Sequence, residues 1–161
     1  DLSGLTRHKG IGPAKAITIM AALELGRRRK EAEILQKDKI TSSQEAARLF
    51  QSILSDLPHE EFWALFLNRA NKIVTRARIS QGGISGTVID VRMLMKQALD
   101  QLASSLIICH NHPSGNIKPS QADLSITHKI KEAGKILDIP LLDHLIIAEQ
   151  NYFSFADEGI L

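Results

Sequence analysis

Apolar and polar positions follow two rhythms along this chain, and the changes of rhythm mark its elements. Ala16, Ile17, Met20, Ala21 and Leu25 recur at helical spacing and predict a helix from about Pro13 to Arg28. Pro13 suits the first turn of that helix, where its missing N–H is not needed. A Gly10-Ile11-Gly12-Pro13 turn joins it to a short apolar stretch around Leu5. Residues 27–39 are charged, with only Ile34 and Leu35 to interrupt them, and read as a linker or a solvated helical extension. Past Thr41, Ser42 and Glu45 have the S-x-x-E spacing of a capping box. Behind them Ala46, Phe50, Ile53, Leu54 and Leu57 form one apolar helical face, which Pro58 closes. Phe62–Leu67, Ile73–Ser80, Leu106–His110, Leu141–Ala148 and Tyr152–Phe155 are strand-sized runs. Helical spacing returns at Val91–Leu102, through Leu94, Ala98, Leu99 and Leu102, and again from about Ser120 to Leu137. Residues 82–86, GGISG, read as a loop. Strands alternating with helices predict an α/β fold, a sheet covered by helices.

Composition narrows this little. The 161 residues suffice for one domain with a core and a small appendage, and 43% hydrophobic with 24% charged is ordinary for a globular protein. No apolar run approaches the roughly 18–20 residues a membrane span needs, so no membrane partner is expected. The chain starts at Asp1 without a signal-peptide pattern and reads as a piece of a longer one, so an address in a preceding segment stays open. A single cysteine, Cys109, rules out an intramolecular disulfide framework and a CxxC zinc site, and suits a reducing cytoplasm. Charge is uneven. Residues 1–40 hold nine Lys or Arg against five Asp or Glu, while the rest hold eleven against thirteen. The basic end and the acidic remainder suggest different partners.

The candidate chemistry lies in CHNHPSGNIKPSQAD, residues 109–123. His110 and His112 stand two apart at the end of an apolar strand, so alternation puts both imidazoles on one face. Cys109 points the opposite way, into the core. Pro113, Ser114, Gly115 and Asn116 turn the chain, and Asp123 falls in the first turn of the next helix, able to face back over the strand end. Two imidazoles and a carboxylate leave a fourth tetrahedral position for water, the catalytic rather than the structural pattern of zinc. Zinc is preferred because tetrahedral N/O sites suit it, though manganese or iron could take the same ligands. Glu60 and Glu61, just ahead of a strand, are placed to reach such a site as proton acceptor. Ser120 is placed to donate to a developing oxyanion or, through S-x-x-D, to cap its helix. His144, in an apolar strand beside Asp143, reads as a core histidine or a partner of the ligands rather than a fourth ligand, and His128 as solvent-facing.

The spacing H-x-H-x7-S-x2-D, met by His110, His112, Ser120 and Asp123, resembles the JAMM motif of the JAB/MPN/Mov34 metalloenzymes. HNHPSG…PSQAD followed by LLDHLII at 141–147 is similar to the RadC family of bacterial proteins within that superfamily, over nearly the whole chain. The resemblance implies a three-layer α-β-α sandwich, cytidine-deaminase-like, over residues 41–161. It implies His110, His112 and Asp123 as ligands of Zn2+, Ser120 as transition-state stabiliser and an upstream glutamate as general base. By its position ahead of EFWALFLN that base is Glu60, with Glu61 the alternative. The implied activity is that of a zinc metallopeptidase or isopeptidase acting on a peptide or protein substrate in the bacterial cytoplasm.

Residues 1–30 resemble a helix-hairpin-helix segment, with Lys9, Gly10, Gly12 and Lys15 where such motifs meet DNA phosphates; residues 31–40 form the linker. The competing function is therefore a DNA-associated protein, linked to repair, that binds or cuts nucleic acid. A nucleobase deaminase would share the fold, but those sites use a PCxxC cysteine pair that a chain with one cysteine lacks. The spacing of these residues carries no information on oligomeric state.

Overall fold

The strands form where β-branched and aromatic residues run together, and the helices where a cap meets an apolar stripe. The computed structural model describes residues 2–35, 39–82 and 89–161, with side chains for 3–29, 39–82 and 89–161. The GGISG loop lies mostly outside the described residues. The chain divides into two units, Asp1–Gln36 and Lys37–Leu161.

The first unit holds α1 (Leu2–Thr6) and α2 (Pro13–Leu35), joined by a turn in which Gly10 has φ +90°. The left-handed region is open to glycine at little cost. The Gly12 carbonyl accepts the first helical bond of α2, from Ala16 N at 3.0 Å. Helix α2 runs on through residues 31–35. Of the apolar positions spaced along it, Ala16 is buried, but Ile17, Met20 and Leu25 are exposed.

The second unit is a five-stranded mixed sheet with helices on both faces. Its elements are α3 (Ser43–Leu54), β1 (Glu61–Leu67), β2 (Ile73–Gln81), α4 (Val91–Asp100), β3 (Ser105–Asn111), α5 (Gln121–Ile136), β4 (Leu141–Ala148) and β5 (Asn151–Ser154). Ser42 caps α3 as its spacing predicts, accepting from Glu45 N, while the Glu45 carboxylate accepts from Thr41 N and Oγ1. The strand order is β2-β1-β3-β4-β5. All neighbours are antiparallel except β3 and β4, which α5 connects in parallel.

Strand β3 is central and buried along its whole length, which explains its unbroken apolar run. Phe62, Ala64 and Phe66 of β1 and Leu106 and Ile108 of β3 join Leu94, Met95 and Ala98 of α4 and Ile130 of α5 in one core layer. Alternation leaves Leu65, Leu67, Ile107 and Cys109 for the opposite face, which α3 covers through β3 and β4. Helix α4 stops at Asp100, and both Leu99 within it and Leu102 past its end, expected on its apolar face, are exposed. Ala103 N reaches back to Ala98 O, and Leu102 takes the left-handed conformation (φ +50°) that ends the helix. At the end of α5 the Ile139 carbonyl oxygen closes on Gly134 where a Cβ would stand, so only glycine fits there without a shift.

Candidate metal centre

The site forms where β3 ends. His110 occupies one of the last ladder positions, paired with Phe62 of β1 and Ile146 of β4. Its ring stacks on Phe62, centroids 5.9 Å apart. One residue past the strand, His112 N still donates to Ile147 O at 2.8 Å, so the second histidine is held by β4 as well. The chain then turns back through Gly115, whose N donates to His112 O and whose φ of +79° favours glycine. Ser120 is the N-cap of α5, and Asp123 lies in its first turn.

These three side chains converge. His110 Nε2 is 2.9 Å from His112 Nε2 and 3.2 Å from Asp123 Oδ1, and His112 Nε2 is 3.6 Å from Asp123 Oδ2. Donors on a tetrahedron with bonds of about 2.0–2.1 Å stand roughly 3.3–3.4 Å apart, so this spacing fits one first-row metal ion. Among the described residues, His110, His112 and Asp123 are the group whose donor atoms gather in this way, all within 4.8 Å. Their side chains are 6%, 13% and 15% exposed, so the cluster is sunk but open on one side.

The groups around these three side chains hold them in place. Asp123 Oδ2 accepts from Ser120 N at 2.7 Å and from Ser120 Oγ at 2.6 Å, which leaves Oδ1 toward His110. His112 Nδ1 donates to Asn116 O at 2.6 Å, since a carbonyl can only accept, and that leaves Nε2 toward the cluster. Burial pushes the Asp123 carboxyl up, but hydrogen bonds from His110, His112 and Ser120, with the charge of His110, outweigh it. The carboxyl stays far below the usual carboxylate range and ionised. The pKa of His112 is raised above 6.5, first by its hydrogen bond to Asp123 and against burial, with help from Asn116 O and the charges of Asp123 and Glu60.

Other site candidates fall into place around this cluster. Glu60 precedes Phe62 by two residues, shares the electrostatics of His112 and is half-buried. Glu61 is buried and committed elsewhere: its carboxylate accepts from Trp63 Nε1 and Arg78 at 2.8 Å each, with His59 at 3.2 Å. Those bonds outweigh burial and lower its pKa. The Ser120 hydroxyl is engaged in a capping box, donating to Asp123 Oδ2 and accepting from Asp123 N. His144 is not placed as a ligand, because both its ring nitrogens are taken. Nε2 lies 2.8 Å from His110 Nδ1 and Nδ1 lies 2.6 Å from Thr127 Oγ1. Thr127 was not legible as a site residue; its only trace in the sequence is its place one helical turn after Asp123. Cys109 is buried, and burial with the Asp143 charge pushes its thiol well up, so it has no thiolate to offer. His128 is exposed. In the first unit Lys9, Gly10, Gly12 and Lys15 are exposed, and Lys15 Nζ donates to Gly10 O at 3.1 Å.

Residues 40–160 match the family described as "RadC-like JAB domain". A protein of Flavobacterium johnsoniae is 58% identical over 160 residues, covering 99% of this chain and 70% of that one. One of Porphyromonas gingivalis is 47% identical over 163 residues, covering all of this chain and 72% of that one. One of Streptococcus sanguinis is 42% identical over 157 residues, covering 98% and 69%. All three carry the name UPF0758 protein, which states no activity. With its H-x-H strand end and its S-x-x-D helix start inside the matched region, the chain belongs to the RadC family of JAB-domain proteins.

Proposed function

We propose that this chain is a zinc-dependent hydrolase that cleaves a peptide or isopeptide bond. The observation that carries the reading is the convergence of His110 Nε2, His112 Nε2 and Asp123 Oδ1 with no fourth protein donor among the described residues. A zinc ion held by those atoms would supply Lewis acidity, polarising a carbonyl and bringing the pKa of water toward neutral. Membership of a metalloenzyme superfamily supports the same class.

In this reading Glu60 accepts the proton of the attacking water and returns it to the leaving nitrogen. Its charge already acts on His112, whereas Glu61 is spent on Trp63, Arg78 and His59. Ser120 keeps its N–H on Asp123 Oδ2, which holds the ligand carboxylate. Its hydroxyl has to turn from Oδ2 before it can donate to a developing oxyanion, so the cap and the catalytic role are alternatives in time.

Two measurements test this. Protein purified without a metal-affinity tag should carry about one zinc per chain, lost in His112→Ala. On a quenched-fluorescence peptide library, Glu60→Gln should lower turnover roughly 10²–10⁴-fold while keeping its zinc. Native protein that takes up no zinc, or undiminished turnover in Glu60→Gln, would overturn the reading.

A second reading, association with DNA through the first unit, is supported by the exposed Lys9 and Lys15 beside the Gly10 turn at the start of α2. Backbone N–H groups at a helix start favour phosphate oxygens.

A further inference from the structure

We infer that Thr127 and His144 are positioning residues: a hydrogen-bond relay through them sets the tautomer of His110 and leaves its Nε2 bare for a metal ion. The inference rests on the reading that His110, His112 and Asp123 are the ligands. It adds two residues from different elements, α5 and β4, that the motif does not contain.

The direction of the relay follows from counting protons. Thr127 Oγ1 lies 2.5 Å from the Asp123 carbonyl oxygen one turn back along α5. A carbonyl only accepts, and a hydroxyl has one hydrogen, so the Thr127 proton is committed there. Toward His144 Nδ1, at 2.6 Å, Oγ1 can then only accept, and His144 Nδ1 carries the hydrogen. His144 is fully buried, its ring against Phe62 and Phe155, and its ring nitrogens face His110 and Thr127 rather than a carboxylate. A buried imidazole without a carboxylate partner stays neutral. Neutral and protonated on Nδ1, it presents a bare Nε2, which lies 2.8 Å from His110 Nδ1. His110 Nδ1 therefore donates, so when His110 is neutral its lone pair falls on Nε2, on the side of His112 and Asp123.

His112 reaches the same tautomer by a shorter route, through Asn116 O. The longer relay has a property the shorter one lacks. It begins at one ligand, His110, and ends on the backbone of another, Asp123, so β3, β4 and α5 are tied together around the ion. Metal-bound histidines generally donate their second N–H to a fixed acceptor, and losing that acceptor weakens metal binding. Here the acceptor is itself a histidine whose polarity a threonine sets.

The test uses the full chain in two states. In the 15N-labelled, metal-free protein at mildly alkaline pH, long-range 1H–15N correlation spectra report which nitrogen of each histidine carries the hydrogen. His110 and His144 should both be Nδ1–H. Either ring found as Nε2–H overturns the relay. Zinc affinity is then measured by competition with a chromophoric chelator. Thr127→Val keeps the shape but removes the hydroxyl, so His144 should move its hydrogen to Nε2 and zinc should bind about 10–100-fold more weakly. Thr127→Ser should restore both tautomer and affinity. A Thr127→Val protein with native zinc affinity, or one that is merely less stable with the His144 tautomer unchanged, overturns the proposal. If the native chain binds no zinc the hydrolase reading fails, and the spectra of the metal-free protein still decide the relay.

Discussion

At His112 the two ring nitrogens face different partners: Nδ1 a backbone carbonyl, Nε2 the donor cluster. The pKa raised above 6.5 means that in the metal-free protein Nε2 holds a proton to higher pH than a free histidine would. Protonated, the ring complements the ionised Asp123. That contribution to stability is fully present below the unfolded value of about 6.5 and is lost as pH rises through the raised folded value. Asp123 works in the opposite sense. Its lowered pKa contributes stability above the unfolded carboxylate value of about 3.9, lost only as pH falls toward the folded one. Zinc held by the proposed ligands would compete with the His112 proton, so its apparent affinity should climb as pH rises through the raised His112 value. Chelator competition across that range measures this, and a flat profile between mildly acid and mildly alkaline pH would show that no ligand proton is displaced. At this scale the three converging side chains were legible, because strand alternation and a helix start place them from spacing alone. His144 was legible as a core histidine or a partner of the ligands, but Thr127 and the relay were not, since a relay depends on how β4 registers against β3 and how α5 is rotated, and neither is written in local pattern.

The helix ends show where element-level pattern misleads. Leu94, Ala98, Leu99 and Leu102 continue a helical period, but hydrophobic spacing does not record the left-handed residue that stops the helix. Leu102 sits in that conformation while 86% exposed, so its side chain gains little from packing and its backbone is strained. Leu102→Gly should therefore stabilise the protein by roughly 0.5–1 kcal/mol despite removing a large apolar group. Urea denaturation would report it as a higher midpoint at unchanged slope; a lower midpoint would mean that the leucine packs against something in solution. Strand β3 taught the reverse lesson. Its apolar run, and the runs of β1 and β4, were readable as strands because both faces are covered.

For the whole molecule, alternating strands and helices made an α/β sandwich readable, and five strands with helices on both faces are found in the second unit. The strand order was not readable. Placing β1 between β2 and β3, and pairing β3 with β4 in parallel through α5, depends on contacts far apart in the chain. The break after Gln36 suggests a clean experiment. A protein comprising residues 37–161 should fold and bind zinc with native affinity, since the donor cluster and the relay lie wholly inside it. Salt-dependent binding to duplex DNA, if the full chain has it, should disappear with residues 1–36. Zinc binding that needs the first unit would contradict the division of labour, and DNA binding that survives its removal would place the contact on the sheet domain.

The parallel pairing of β3 with β4 also has a consequence for timing. Synthesis runs from the N-terminus, so His110, His112 and Asp123 all leave the ribosome before His144, which lies 34 residues beyond His110. A nascent chain thus carries all three donors of the proposed site before the strand that bears His144 has been made. Metal met at that stage would find His110 free to choose either tautomer, and with the proposed relay the docking of β4 would be the step that turns three available donors into a finished site.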